Sequence, residues 1–198
     1  MQEVSRCPWA GNDPDYCCYH DYEWGVPVHD DRKLLEMLIL EGFQAGLSWI
    51  TILKKRENFR KAFANWDVRK IAAFTSDDVN RLLDNTGIIR NRRKIESAIN
   101  NARRFIEVQK EFGSFDRYIW QFTNYKTLFP KTPPTTLSEI PTHTPESDAM
   151  SRDLQKRGFN FVGTVICYSF MQAVGMVNDH VKGCFKFEQA GSDRRMSI

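Results

Sequence analysis

Glu41 stands at the end of an otherwise apolar stretch, with Gln44 one helical turn on and Trp49 shortly after it. Tyr16, Tyr19, Tyr22 and Trp24 crowd the N-terminal segment. A carboxylate among aromatic rings suits a flat cation: the ring faces attract positive charge, and the carboxylate both balances it and accepts a hydrogen bond from an amino group. The plainer alternative is a set of core aromatics beside a surface glutamate.

A second group of residues suits a metal. Cys7 and His20 lie near the start of the chain, His180 and Cys184 near its end. The spacing of four brings the latter pair together on one helical turn or in a tight loop. Two thiolates and two imidazoles suit zinc, which accepts both and demands only four ligands. A site filled by protein ligands keeps no position for water, so such an ion would be structural and would tie the two chain ends together. Neither half has a short Cys-x-x-Cys clamp; Cys17 and Cys18 compete as ligands, and Cys167 reads as a small buried hydrophobe.

A third group concerns phosphate. Asn85-Thr86-Gly87-Ile88-Ile89-Arg90 joins two expected helices by a short turn, and Arg92, Arg93 and Lys94 open the next helix. Backbone amides at a positive helix end, ringed by basic side chains, suit a DNA backbone. The competing reading is a connection in which Gly87 merely permits a left-handed turn. Two further basic groups, Lys54-Lys55-Arg56 and Lys156-Arg157, are either DNA contacts or solvated helix faces.

The elements that must position these residues are helical. Leu34, Leu35, Leu38 and Ile39, and further on Ile71, Phe74, Val79, Leu82 and Leu83, recur at helical spacing. The chain is therefore expected to be all-α, with helices near 31–44, 48–64, 67–74, 76–86, 91–112, 115–123, 147–157 and 162–175. Asp67, Ser76, Ser114 and Ser147 are the expected N-caps, and Gly87, Gly113, Gly158 and Gly175 the expected stops. Asn124 to Pro145, rich in Thr and Pro, reads as a long surface loop.

The 198 residues, 41% hydrophobic and 13% aromatic, fit one helical domain over 1–198 and exclude a disordered chain. A net charge of +3 permits nucleic acid without demanding it. Five cysteines, an odd number, and no signal-peptide pattern predict a reducing compartment, the cytoplasm. The apolar run from Phe161 to Val177 is broken by Gly163, Ser169 and Gln172, so no membrane span is expected.

Five segments in order carry a family resemblance: Tyr19 to Pro27, Leu40 to Thr51, Thr86 to Asn91, Lys156 to Thr164, and Ile166 to Ala173 followed by Asn178 to Val181. Together they resemble the Tag family, 3-methyladenine DNA glycosylase I of the helix-hairpin-helix superfamily, over nearly the whole chain. The resemblance implies a monofunctional DNA repair enzyme, acting as a monomer, that flips 3-methyladenine out of alkylated double-stranded DNA and hydrolyses its glycosidic bond. It implies structural zinc on Cys7, His20, His180 and Cys184, and a base pocket of Glu41, Tyr16, Tyr19 and Trp49, with Glu41 in the catalytic role. Gly46 and Leu47 match the loop that plugs the duplex gap; Gly87 and Arg90 fall in the DNA-anchoring hairpin. The alternative is a zinc-stabilised damage-binding module without excision. Two departures stand out: Ile89 replaces a second hairpin glycine, and Phe43 stands where a polar residue is expected, which would make the pocket edge more apolar.

Overall fold

The computed structural model describes residues 4–187, and every regular element within them is helical. The one β feature described is an isolated parallel bridge between Leu128 and Val177. The architecture turns on α2, Asp31–Gln44, whose first turn is capped by the Asp30 carboxylate accepting from the Lys33 N–H at 2.9 Å. Leu34 through Phe43 are all buried. A helix apolar on nearly every side belongs at the centre of a fold, and α3 (Trp49–Leu53), α7 (Arg92–Phe112), α8 (Phe115–Trp120) and α10 (Thr164–Ala173) surround it.

The remaining helices are α1 (Pro14–Tyr22), α4 (Arg56–Ala62), α5 (Val68–Ala72), α6 (Ser76–Asp84) and α9 (Pro145–Lys156). Helix α1 had no expected counterpart. It starts where Asp13 accepts from the Asp15 and Tyr16 N–H groups and Pro14 takes the first position, where its missing N–H costs nothing. The expected helix over 48–64 is two helices broken at Lys54 and Lys55, then ended by Ala64, Asn65 and Trp66 at positive φ.

Two caps lie upstream of their expected residues. Thr75 caps α6 in a reciprocal box with Asp78, displacing Ser76, and Thr144 caps α9 with Ser147 as its third-position partner. Asp67 and Ser114 cap α5 and α8 as expected. Residues 124–144 form the long connection, with one 3-10 turn at Leu137–Glu139. No helix among the described residues is long and apolar enough to cross a membrane.

Candidate active site

Helix α2 carries two buried carboxylates with opposite fates. Glu36 accepts from Arg56 Nε at 2.7 Å, and the same guanidinium bonds Glu23 at 2.9 Å through both terminal nitrogens. Glu41, 4% exposed, has no such match among the described residues: its Oε2 is buried without a hydrogen-bond partner there. Burial alone pushes the Glu41 carboxyl up to about 8. An unpaired buried carboxyl costs free energy, so its retention points to a ligand it is built to meet.

Glu41 opens into a cavity of about 330 Å³ lined also by Trp9, Tyr16, Tyr19, Trp24, Gln44, Trp49, Tyr168, Ser169 and Gln172. All four residues expected in a base pocket line this one cavity. Tyr19 and Trp49 lie 5.2 Å apart, ring centre to ring centre, and Trp49 Nε1 is a second buried polar atom without a partner. Burial raises the Tyr16 hydroxyl, with Glu41 adding to it, and burial raises Tyr19 further, so both remain protonated donors. Tyr22 instead stands exposed at a larger cleft of about 830 Å³, where Glu23, Lys33, Glu36 and Arg56 pair with one another.

Residue reading missed several wall residues. Trp9 packs on Tyr16 at 5.0 Å and on Trp24 at 4.9 Å. Tyr168 and Gln172 both donate to the buried Asp179 carboxylate, at 2.6 and 2.8 Å, which fixes their orientation. Leu137, Ile140, Pro141 and Thr142 of the long loop add to the cavity lining. Phe43 corrects an expectation: it turns from the cavity into the core, 4.7 Å from the Phe59 ring, so it leaves the pocket edge unchanged.

Behind the cavity, Cys7, His20, His180 and Cys184 are all buried, with their ligand atoms within 4.8 Å of one another. Cys7 Sγ lies 3.5 Å from His180 Nδ1, and Cys184 Sγ 3.4 Å from His20 Nε2 and 3.6 Å from His180 Nδ1. Tetrahedral zinc at its usual bond lengths sets sulfur and nitrogen about 3.5 Å apart, so the donor set and its spacing fit. The outward ring nitrogens are held too, His20 Nδ1 by Asp21 at 2.9 Å and His180 Nε2 by the Trp24 carbonyl at 3.3 Å, the support that metal-binding imidazoles need. Asp21 is itself gripped by Arg6. Cys17 and Cys18 stand outside the cluster, and Cys167 is a buried hydrophobe as expected.

The expected DNA-facing residues lie outside the cavity lining. Gly46 sits at φ +77°, a left-handed turn after α2, and presents Leu47, which is exposed. Gly87 is not left-handed. A side chain there would meet Asn58 at 3.1 Å and Asn85 at 3.0 Å, so close approach is the reason for glycine. Arg90 is exposed, whereas Ile89 is half-buried against the core. The basic groups are largely spent internally: Lys54 pairs with Asp13, Lys55 donates to the Thr86 carbonyl, and Arg157 pairs with Glu111 and Asp153. Lys94 is buried and donates to the Phe43 and Ala45 carbonyls at 2.9 and 2.6 Å. It is therefore an anchor for the loop of Gly46 and Leu47, and not a DNA contact.

Comparison with known proteins agrees with this geometry. The methyladenine glycosylase family profile matches residues 9–187. DNA-3-methyladenine glycosylase 1 of Escherichia coli is 55% identical over 181 residues, 91% of this chain and 96% of the relative. A crystal structure of 3-methyladenine DNA glycosylase I, also 55% identical, superposes with a TM-score of 0.88 and covers 91% of this chain and 98% of its own. A Tyr-to-Phe variant of such an enzyme, 34% identical, in complex with 3-methyladenine, superposes at 0.86 over 91% of this chain and 96% of that one. The chain belongs to the methyladenine glycosylase family, enzymes that hydrolyse N-glycosyl bonds to alkylated bases.

Proposed function

We propose that the chain excises 3-methyladenine from alkylated double-stranded DNA by hydrolysing the bond between base and sugar, with Glu41, Tyr16, Tyr19 and Trp49 as its base pocket. The observation that carries this reading is the unpartnered Glu41 carboxyl, buried among aromatic rings in a cavity open to solvent on one side. Methylation at N3 gives the adenine a positive charge, so it leaves as a neutral base with little acid catalysis. Selection and positioning are then the main tasks. The extruded cation meets ring faces that favour it, and Glu41, ionised by its arrival, accepts from the exocyclic amino group. Unmodified adenine brings no charge to offset the cost of ionising Glu41, so it is rejected.

Gly46 and Leu47 plug the gap left in the duplex; Gly87 and Arg90 anchor the backbone. No lysine stands in the hairpin position of bifunctional enzymes, so a Schiff base and strand cleavage are not part of the reaction. Cys7, His20, His180 and Cys184 hold structural zinc, which when bound ties the chain ends together and supplies no reacting group. The acting unit is a single one-domain chain in the cytoplasm; the odd number of cysteines supports the reducing compartment.

The test is release of base from methylated duplex DNA, with 3-methyladenine, 7-methylguanine and adenine separated. Selective release of 3-methyladenine is expected, and Glu41→Gln should lower it at least about thirtyfold, the scale of one charge-assisted contact. A folded protein that binds the methylated duplex yet releases no base would be a damage-binding module instead.

A further inference from the structure

The outer side of the cavity differs in kind from its inner side. Leu137, from the 3-10 turn of the long loop, and Val165, from the first turn of α10, both line the opening, yet they are 40% and 52% exposed. They are two of only six large hydrophobic side chains left exposed among the described residues, and a third, Leu47, sits on the loop after α2. Apolar side chains gathered at the mouth of a cavity mark a surface that is covered in use.

This mouth is also held in place. The Lys182 N–H donates to the Pro134 carbonyl at 2.7 Å, and the Leu128 N–H to the Met176 carbonyl at 2.8 Å, fastening the loop to the segment after α10. Glu139 accepts from the Thr135 N–H at 2.7 Å and from its hydroxyl at 2.9 Å, stapling the turn that presents Leu137. Such fixation means that the position of Leu137 is set before any substrate arrives.

We propose that Leu137 and Val165 form an apolar rim that grips the deoxyribose of the extruded nucleotide while its base occupies the cavity. The occupant follows from chemistry. Among the described residues no lysine or arginine lines the cavity, so the rim does not hold phosphate. The carboxyl and the unpartnered indole N–H lie within, suited to the base. Between base and phosphate only the sugar remains, and its carbon face suits aliphatic side chains. The rim thereby holds the anomeric carbon in register with the leaving base, at the bond to be broken. The inference rests on the base-pocket reading above and adds two substrate-positioning residues to it.

The experiment uses the full chain and its Leu137→Ser and Val165→Ser variants, singly and together, with Leu137→Met as the conservative control. Three quantities are measured: affinity for free 3-methyladenine by tryptophan fluorescence, affinity for a duplex bearing an abasic tetrahydrofuran residue, and single-turnover excision from methylated duplex. The serine variants should bind free base within twofold of the parent, while excision and tetrahydrofuran-duplex affinity each fall about tenfold and Leu137→Met retains both. Unchanged excision, or free-base affinity falling in step with excision, would overturn the rim. If the parent chain bound no free base, or Glu41→Gln left base affinity intact, the base-pocket reading would fail and the rim with it. Exposed positions tolerate serine, and a Tm within about two degrees of the parent verifies the fold.

Discussion

At the scale of single residues, Glu41 is the selecting group of the proposed pocket and a cost to the fold. Unfolded, its carboxyl loses a proton near 4.5; folded, burial holds the proton up to about 8. The folded state binds the extra proton between those values, so stability is full below the unfolded value, declines as pH rises, and levels off above about 8. The loss is on the order of a few kcal/mol. Glu41→Gln should therefore melt with the parent at pH 5 but several degrees above it at pH 8.5, since each kcal/mol moves Tm by about 2–4 °C in a chain of this size. Coincident melting curves at both pH values would show that Glu41 is solvated. The same group predicts the rate profile. Binding of a cationic lesion needs the carboxylate, so kcat/KM on methylated duplex should rise about tenfold per pH unit toward 8 and then flatten. The Gln variant should be flat throughout. Residue types made Glu41 and the four buried Cys and His residues legible in the sequence, because an acid in an apolar run and paired Cys and His stand out. Glu36 lies in the same run and reads identically; only the structure reveals that Arg56 neutralises one acid and leaves the other.

Among elements, legibility followed periodicity. Helices α2 and α7 have apolar faces that repeat at helical spacing, and both were expected to within a residue or so. Helix α1 was not, because its apolar residues do not gather on one face; it is helical through its Asp-Pro start and through packing of Tyr19 and His20. Residue type likewise does not reveal which face of a helix a lysine occupies, and Lys94 read as part of a basic run until the structure turned it inward to the end of α2. Lys94→Met should remove the bonds to the Phe43 and Ala45 carbonyls, cost about 2 kcal/mol and lower Tm by roughly 5 °C. Because those bonds hold the turn of Gly46 and Leu47, excision from duplex should fall while free-base affinity holds; equal loss of both would place Lys94 in the core alone. Arg90, exposed on the hairpin between α6 and α7, has the opposite character. Arg90→Ala should lower the slope of log affinity against log salt by about one, as expected for one lost phosphate contact, whereas Lys54→Ala, already paired with Asp13, should leave it unchanged.

For the whole molecule, the segments that carry the Cys and His cluster share walls with the cavity. Trp9, two residues after Cys7, packs 5.1 Å from the His20 ring, and Trp24 packs edge-on to His180 at 4.7 Å. Both tryptophans line the cavity. The segment that carries His180 and Cys184 also fastens the long loop, through the bond from Lys182 to Pro134. Such long-range contact was illegible in a loop of Thr and Pro without periodicity, although the four Cys and His side chains that the fold brings together were expected as a set. A metal at this cluster thus bears on the shape of the pocket as well as on the fold. The purified protein should contain about one zinc per chain, and a strong chelator or Cys184→Ser should lower Tm by more than about ten degrees, in keeping with the several kcal/mol that structural zinc contributes. Tryptophan fluorescence should change on chelation at temperatures well below the new Tm, because Trp9 and Trp24 lose the support of the two imidazoles before the helices melt. A protein that holds no metal, or one whose Tm and fluorescence ignore the chelator, would show that these four side chains pack as an ordinary core and that the pocket stands without them.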